Sequence, residues 1–326
     1  MKIVGVGHYI PDRVMTNAQI ERIAGLPSGS VERTHAGVKE RRWVTHETGS
    51  YMNAMACREA VADAGLELSD IDLIINGSGT QEQAIPDGGP LIQRQLGLGD
   101  TGVAAVSIHS TCLSFLVGLN VAANFLGSGQ YRKILVTAGD IGSAAINPKD
   151  AESFVLFGDV AAAVVVTRAE EGEASGVTGY VFRTFGEGAY LTQVPGGGTR
   201  RHPNFPETTP EDNLFQMDGK RVYMMALEHG PPILEELRPG LSRDLGDIKA
   251  VVSHQASGLA LDALPKLGWP ADRIVRTIHK YGNCIGASIP ITLYETIKEG
   301  RIERGDEVLF LGTGAGLSIG AMIITY

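Results

Sequence analysis

Short apolar runs alternate with longer stretches of helical spacing along the first part of the chain. Strand-like runs occupy residues 3–6, 73–75, 103–108 and 134–137, and helix-like stretches occupy residues 50–64, 88–96 and 112–126. This alternation predicts parallel strands covered by helices. A further strand is expected at residues 161–166, where β-branched residues follow Phe157-Gly158-Asp159.

The pattern breaks after Gly186 and then starts again. Residues 194–212 are rich in glycine, proline, threonine and acidic residues, which is typical of an insertion or a lid. The elements predicted after it are a helix at 220–237, a strand at 248–252, a helix from Leu259, a helix at 287–298 and strands at 308–311 and 317–325.

Both parts of the chain have the same order of element types: a strand, a sharp turn with a polar residue, a helix and a final pair of strands. We therefore interpret the chain as a duplicated α/β unit with halves 1–170 and 171–326, residues 171–219 being partly a loop-rich insertion.

Composition and charge narrow the class of protein. With 326 residues, 43% of them hydrophobic, the chain can bury a large core. A formal net charge of -9 leaves no uniform cationic surface for a nucleic-acid backbone or an anionic membrane. Charged residues interrupt the apolar runs before about 20 residues, the length of a membrane span. We expect a cytoplasmic protein that binds neither nucleic acid nor a membrane.

The cysteines are few and have no metal-binding spacing. Cys57, Cys112 and Cys284 are an odd number without a C-x-x-C pair, so we predict neither a disulfide framework nor a metal site. No cofactor is predicted either. A cysteine with a function would then act through its reactivity.

Cys112 has the position of a nucleophile. It follows a predicted strand and the turn His109-Ser110-Thr111, and it opens an apolar helix. Unpaired N–H groups at a helix N-terminus stabilise a thiolate, so we expect the Cys112 pKa to lie below its usual value of about 8.5. The ordinary alternative for a cysteine is a small buried hydrophobic residue. The position of Cys112 in a strand–turn–helix segment favours the interpretation that it is a nucleophile.

His254 and Asn283 are candidate partners of Cys112. Each is predicted at the end of a strand, where polar side chains face a crevice. Alone, either residue is more often a helix cap or a satisfied core group. Papain-like proteases use the same three residue types, but their signature places tryptophan beside a cysteine near the mature N-terminus.

Seven features together resemble the β-ketoacyl-acyl-carrier-protein synthase III group of the thiolase superfamily. They are the N-terminal strand with Pro11, Gly-Val-Lys-Glu-Arg-Arg at 37–42, Cys112 at its turn, Phe157-Gly158-Asp159, His254-Gln255-Ala256, Tyr281-Gly282-Asn283 and Gly-Thr-Gly-Ala-Gly at 312–316. The resemblance implies a duplicated, five-layered αβαβα thiolase-like fold and a homodimer.

The resemblance also implies the chemistry. Cys112, His254 and Asn283 match the catalytic triad of an acyltransferase that joins two acyl thioesters, carried by acyl carrier protein or coenzyme A, in a Claisen condensation. Cys112 would carry the first acyl group, and the second thioester would be of malonyl or ketoacyl type. Backbone N–H groups of Cys112 and of Ala315 or Gly314 would form the oxyanion hole.

Substrate-binding positions follow from the same resemblance. Phe157 and Leu259 would contact substrate, and Ile85 would border the partner subunit's acyl pocket. Leu259 and Met224 replace basic residues that relatives use to dock carrier protein.

The coenzyme A site also departs from the pattern of relatives. Val31, His35 and Ala151 occupy the region where relatives bind adenine. We therefore expect weak coenzyme A binding and a specialised, polyketide-type pathway rather than ordinary fatty-acid initiation.

Alternatives stay open at this point. The acyl-cysteine would equally serve transfer to an oxygen or nitrogen nucleophile, or thioester hydrolysis. A non-catalytic partner subunit on the same fold is a further alternative, although the chain retains all three triad residue types. No base for a non-decarboxylating reaction is identified, and Glu82 and Glu187 are only guesses.

Overall fold

The structure is a computed structural model that describes residues 1–34 and 36–326. Two large β-sheets, one from each half of the chain, form its frame. The strands are β1 (Lys2–Tyr9), β2 (Val14–Thr16), β3 (Glu40–Arg42), β4 (Leu73–Asn76), β5 (Ala104–Ser107), β6 (Lys133–Ile141), β7 (Asp159–Thr167), β8 (Gly176–Thr184), β9 (Thr192–Gln193), β10 (Gln216–Met217), β11 (Ala250–Ser253), β12 (Glu307–Gly314) and β13 (Ser318–Thr325). The helices are α1 (Asn17–Ala24), α2 (Gly49–Asp63), α3 (Gly88–Gln95), α4 (Ser114–Ser128), α5 (Ala151–Phe154), α6 (Gly219–Leu237), α7 (Gly258–Ala263), α8 (Ile278–Tyr281) and α9 (Ser288–Lys298).

The two sheets repeat one topology. The first has the order β1-β7-β6-β4-β5, and the second, read in the same direction, has β8-β13-β12-β11. In the second sheet an isolated parallel bridge between Val251 and Ile274 stands where β4 pairs with β5 in the first. The predicted duplication is confirmed at the level of topology.

The prediction of parallel strands is only partly correct. β4 lies parallel to β5 and β6, and β11 lies parallel to β12. β7 is antiparallel to β1 and β6, and β13 is antiparallel to β8 and β12. Residues 315–317 are too short a connection between β12 and β13 for a crossover, so these two strands form a hairpin. The sequence pattern also misses β8, a half-exposed strand that contains two glycines.

Helices occupy three layers around the two sheets. α2 and α3 cover the outer face of the first sheet, and α6 packs on β8 and β13 of the second. α4 and α9 lie between the sheets and contact strands of both. The layers therefore follow the predicted order αβαβα.

Side-chain caps start the helices that reach the site. The Asp218 carboxylate accepts the Arg221 N–H at 3.1 Å at the start of α6, and the Ser257 hydroxyl accepts the Ala260 N–H at 3.2 Å at the start of α7. Each cap satisfies an N–H group that has no partner within the helix.

One segment, Thr111–Ser128, is long and apolar enough for a membrane span by length and composition alone, and no charged residue lies between Asp100 and Arg132, which corrects the expectation that charges interrupt every apolar run. In the structure it forms the Cys112 turn and α4. Its side chains Leu113, Phe115, Leu116 and Leu119 are fully buried in the core between the sheets. A helix buried on most sides is apolar for that reason.

Candidate active site

The Cys112 turn joins β5 to α4. Cys112 lies in a 3-10 turn, Thr111–Leu113, and α4 begins only at Ser114, so the predicted helix start is two residues too early. The Ser114 hydroxyl accepts the Ser110 N–H at 2.8 Å and donates to the Thr111 carbonyl at 2.7 Å. These two bonds close the turn and hold the thiol in place.

Burial dominates the electrostatics of the Cys112 thiol. Burial, and to a smaller extent the nearby Asp140 carboxylate, raise the Cys112 pKa to about 12. N–H groups of Ala315 and of Cys112 itself, which reach the sulfur, act in the opposite direction. The predicted low pKa is wrong for the resting enzyme, because removal of water from a thiolate outweighs the donors at the helix terminus.

Asp140 connects the two halves beside the thiol. Its carboxylate accepts the Thr80 N–H at 2.6 Å, the Thr80 hydroxyl at 2.8 Å and, from the second half, the Ala287 N–H at 3.0 Å. Burial raises the Asp140 pKa to about 6 despite these donors. The charge of this buried carboxylate, which acts on the Cys112 pKa, therefore changes with pH around 6.

His254 follows the last residue of β11, as predicted. Its N–H donates to the Leu311 carbonyl at 2.8 Å. A Cβ on Gly312 would lie 2.8 Å from the His254 Cβ and 2.9 Å from Leu113, so glycine lets β12 pass between them. Burial lowers the His254 pKa to about 4, and Nδ1 has no hydrogen-bond partner among the described residues. The imidazole is therefore neutral at physiological pH.

Asn283 lies after the short helix α8 and not at the end of a strand, which corrects the prediction. Its N–H donates to the Leu156 carbonyl at 2.8 Å, and its carbonyl accepts the Gly158 N–H at 3.1 Å. A Cβ on Gly158 would lie 2.0 Å from the Tyr281 carbonyl oxygen, so only glycine permits this approach.

The Asn283 side chain ties its own loop to the loop that follows His254. Its Nδ2 donates to the Ala256 carbonyl at 3.2 Å, and its Oδ1 accepts the Ile285 N–H at 2.9 Å. Asn283 is therefore held by contacts between segments that lie far apart in the sequence.

One cavity of about 1580 Å³ brings the predicted triad together. Cys112, His254 and Asn283 all line it. Of the other predicted site residues, the cavity is lined by Phe157, Leu259, Gly314 and Ala315. Residues that sequence reasoning missed include Thr111, Phe215, Met217, Tyr223 and Ser253. Ser253 and Thr111 directly precede His254 and Cys112, which is a signal in the sequence, whereas Phe215, Met217 and Tyr223 have no local motif.

Ile85 does not line this cavity, and its side chain is 86% exposed. Met224 is also exposed, on the outer side of α6. Glu82 lines the cavity, but its carboxylate accepts the Ser50 N–H at 2.8 Å. Glu187 lies in the turn Gly186–Gly188, outside the cavity lining.

In the predicted coenzyme A region, Val31 does not line the cavity. Val31 is buried in a hydrophobic cluster, and its N–H donates to the Glu21 carboxylate at 2.9 Å. Thr34 and Ala36 line the cavity instead. His35 and the Ala151 side chain lie outside the described residues.

Comparisons with known proteins agree with this geometry. The family profile described as 3-oxoacyl-[acyl-carrier-protein (ACP)] synthase III matches residues 106–186, and the profile for its C-terminal part matches residues 241–326. The beta-ketoacyl-[acyl-carrier-protein] synthase III of Aquifex aeolicus is 34% identical, and the alignment covers 100% of this chain and 99% of the relative. The relative from Desulfitobacterium hafniense is 35% identical, with 99% and 97% covered.

Solved structures show the same likeness. The crystal structure of the Aquifex aeolicus enzyme superposes with a TM-score of 0.88 at 33% identity, over 100% of this chain and 99% of the other. The priming beta-ketosynthase of the R1128 polyketide pathway superposes with a TM-score of 0.86 at 26% identity, over 99% and 95%. With its thiolase fold and matching profiles, the chain belongs to the 3-oxoacyl-[acyl-carrier-protein] synthase III family of acyltransferases, which form carbon–carbon bonds by Claisen condensation.

Proposed function

We propose that Cys112 takes an acyl group from one thioester and that the enolate of a second thioester attacks this acyl-cysteine. The observation that carries the proposal is the convergence of Cys112, His254 and Asn283, from three separate segments, on one cavity. The first step expels the carrier thiol, and the second forms the carbon–carbon bond and restores the Cys112 thiol.

Backbone donors serve the first half-reaction. The N–H groups of Cys112 and Ala315 reach the Cys112 sulfur, so they lie close to the place where a tetrahedral intermediate develops its oxyanion. Gly314 adjoins Ala315 in the same loop and is the alternative donor. Fixed N–H groups in a cavity shielded from water stabilise such an oxyanion without reorganisation.

His254 and Asn283 serve the second half-reaction. A neutral imidazole has one N–H donor, and the Asn283 amide is tied to the same loop through Ala256. Both groups donate to the enolate oxygen of the second thioester. A malonyl-type substrate fits best, because loss of carbon dioxide supplies the carbanion, while Glu82 is already engaged with Ser50.

The donor is an acyl carrier protein thioester or an unusual acyl group rather than an ordinary coenzyme A ester. Val31 is buried and offers no stacking surface for adenine. The exposed Met224 and Leu259 replace the basic residues with which relatives dock carrier protein, so a carrier protein would bind this surface through apolar contacts. Similarity to a priming polyketide ketosynthase supports a specialised pathway.

Comparing kcat/KM for one acyl chain on coenzyme A, on pantetheine and on carrier protein tests the donor. We expect equal values for coenzyme A and pantetheine and a higher value for carrier protein. A clear preference for coenzyme A over pantetheine would contradict this expectation.

The chain acts as a homodimer through the free edge of the first sheet. β5 is the terminal strand of that sheet, and Val106 on it is 41% exposed. Unpaired backbone groups on an edge strand are a template for a second chain. The exposed Ile85 would then reach the partner subunit's acyl pocket. Sedimentation velocity should show a dimer that Val106→Lys weakens.

Intact-protein mass spectrometry after incubation with acyl thioesters tests the acyl-cysteine. Wild type should gain the mass of the acyl group, and Cys112→Ser should lose the adduct. Cys57→Ser and Cys284→Ser are matched controls, because both thiols are buried and, unlike Cys112, neither lines the cavity. An adduct that persists in Cys112→Ser would refute the assignment. Adduct formation without a carbon–carbon product from malonyl thioesters would favour transfer to oxygen or nitrogen, or hydrolysis.

A further inference from the structure

One face of α6 lines the cavity well beyond the catalytic residues. The lining positions recur at helical spacing, which places them on a single stripe. After the first turn of α6, which contributes Gly219, Lys220 and Val222, they are Tyr223, Ala226, Leu227, Gly230, Pro231 and Leu234. The stripe spans 12 residues, so its first and last residues lie roughly 16 Å apart at the rise of an α-helix.

The opposite boundaries of this space are also apolar. Its floor is the outer face of the second sheet, with Leu311 and Ile319, and its far wall is the α7 region, with Ala263, Leu264 and Leu267. Leu234, Leu264, Leu267 and Leu311 belong to one hydrophobic cluster. We call this space, bounded by the α6 stripe and these five residues, the α6 arm.

Gly230 keeps the α6 arm open. A Cβ at this position would meet no atom within 4 Å, although Gly230 lies inside a helix and lines the cavity. Its φ is not in the left-handed region, so φ alone does not require glycine. Glycine also disfavours a helix relative to alanine. Glycine here relieves the clash that a Cβ would make with the ring of Pro231, and it also leaves free space on the cavity side of α6.

Ser253 marks the end of the arm next to the catalytic residues. It immediately precedes His254, is 3% exposed and lines the cavity. Its hydroxyl has no hydrogen-bond partner among the described residues. A buried hydroxyl without a partner is unfavourable, so this group is placed to bond an oxygen that the substrate brings.

We propose that the α6 arm holds the alkyl tail of the acyl group on Cys112, and that the donor acyl chain has roughly ten carbons or more, as the length of the stripe allows. The proposal rests on the acyl-cysteine proposed above and names its substrate class. A cavity of about 1580 Å³ exceeds the usual range for a small ligand, about 300–1,000 Å³. Each methylene that the arm buries should strengthen binding roughly fourfold.

Closing the arm at Gly230 tests the proposal. Gly230→Phe places a ring in the free space, and Glu228→Phe is the matched control, because residues two apart on a helix point about 200° from each other and Glu228 is exposed. The rate of self-acylation is followed by intact mass with acetyl-pantetheine and dodecanoyl-pantetheine. Gly230→Phe should lower kcat/KM for the dodecanoyl ester at least tenfold and leave the acetyl value unchanged, whereas Glu228→Phe should change neither.

Equal rates of self-acylation for wild type and Gly230→Phe with dodecanoyl-pantetheine would contradict the proposal that the α6 arm holds the acyl tail. An equal loss of kcat/KM for both esters would contradict it as well. Gly230→Met, a slimmer side chain, should show the same chain-length selectivity if Gly230→Phe lowers the melting temperature. Failure of the arm leaves the Cys112 adduct in place. Failure of the acyl-cysteine proposal would remove the adduct from wild type with both esters.

Discussion

The turn that carries Cys112 and the turn that carries Gly286 have the same backbone and different chemistry. Each consists of a 3-10 turn, Thr111–Leu113 in the first half and Ile285–Ala287 in the second, followed by a helix that begins with serine. The first residue of each turn is β-branched with a positive φ, 49° for Thr111 and 51° for Ile285.

The serine performs the same task in both turns. The Ser288 hydroxyl accepts the Cys284 N–H at 3.0 Å, just as the Ser114 hydroxyl accepts the Ser110 N–H. A backbone conformation that costs energy is thus stabilised twice by one device. The duplication extends from the order of the strands to individual hydrogen bonds.

The residue that follows the strained position separates the two turns. Cys112 faces the cavity, whereas a Cβ on Gly286 would lie 3.0 Å from the Gly77 carbonyl oxygen and 3.1 Å from the Asp140 Oδ2. Only the first turn has room for a nucleophile. The second turn packs against the first sheet and supports it, so only the Cys112 copy of the turn places a side chain in the cavity, while the other copy holds Asp140 beside it.

The largest effect is expected from the residues that the second half contributes. His254→Ala and Asn283→Ala should each slow condensation by about 10²–10⁴ and slow self-acylation of Cys112 much less. Product formation measures the first rate, and intact mass measures the second. An equal loss of the condensation and self-acylation rates would indicate that His254 is the base that activates the Cys112 thiol. It would contradict the assignment of His254 and Asn283 to the condensation step alone.

Adding one carbon to the second turn tests its packing role. Gly286→Ala should lower the free energy of unfolding by about 1–3 kcal/mol, because the neighbours are backbone and a buried carboxylate. Gly127→Ala in α4 is the control: no atom lies within 4 Å of its Cβ, so stability should rise by about 0.5–1 kcal/mol. Urea unfolding measures both, and equal changes would show that Gly286 is not tightly packed.

Asp140→Asn tests the electrostatic link between the turns. The variant should lower the Cys112 pKa, because the carboxylate raises it, and the pH dependence of iodoacetamide alkylation reports that pKa. An unchanged alkylation profile would show that Asp140 does not act on the thiol.

The same variant has a predicted effect on stability. The Asp140 pKa is about 6 when folded, against 3.8 for a free side chain, so between these values the folded state binds more protons than the unfolded state. Stability from this group is present below pH 3.8 and lost as pH rises through 6. Subtracting the unfolding curves of Asp140→Asn from those of wild type should isolate this loss.

The smallest effect concerns backbone strain. Thr111→Gly removes a β-branched residue from the left-handed region and should raise the free energy of unfolding by about 1 kcal/mol. Ile285→Gly should instead lower stability, because Ile285 packs against the cluster around Phe157. Thermal unfolding measures both changes in stability. A gain for Thr111→Gly and a loss for Ile285→Gly would show that side-chain packing stabilises only the second of the two strained residues.

Local patterns in the sequence were sufficient for much of the fold. Apolar periodicity predicts α6 and α9 closely, because a helix or strand must present apolar residues at its own repeat. It does not predict β8, which is half exposed, or the antiparallel direction of β7, because strand pairing depends on residues far apart in the chain.

In the candidate site, too, some features follow from the local sequence and others depend on long-range contacts. The sequence by itself determined which residue types are present and that Cys112 stands at a turn before a helix. Only the tertiary structure decided that Asn283 is held against Leu156 and Gly158, that Val31 is buried and that Ile85 is exposed. It also reversed the expected Cys112 pKa, because the cost of removing water from a charge depends on everything packed around it.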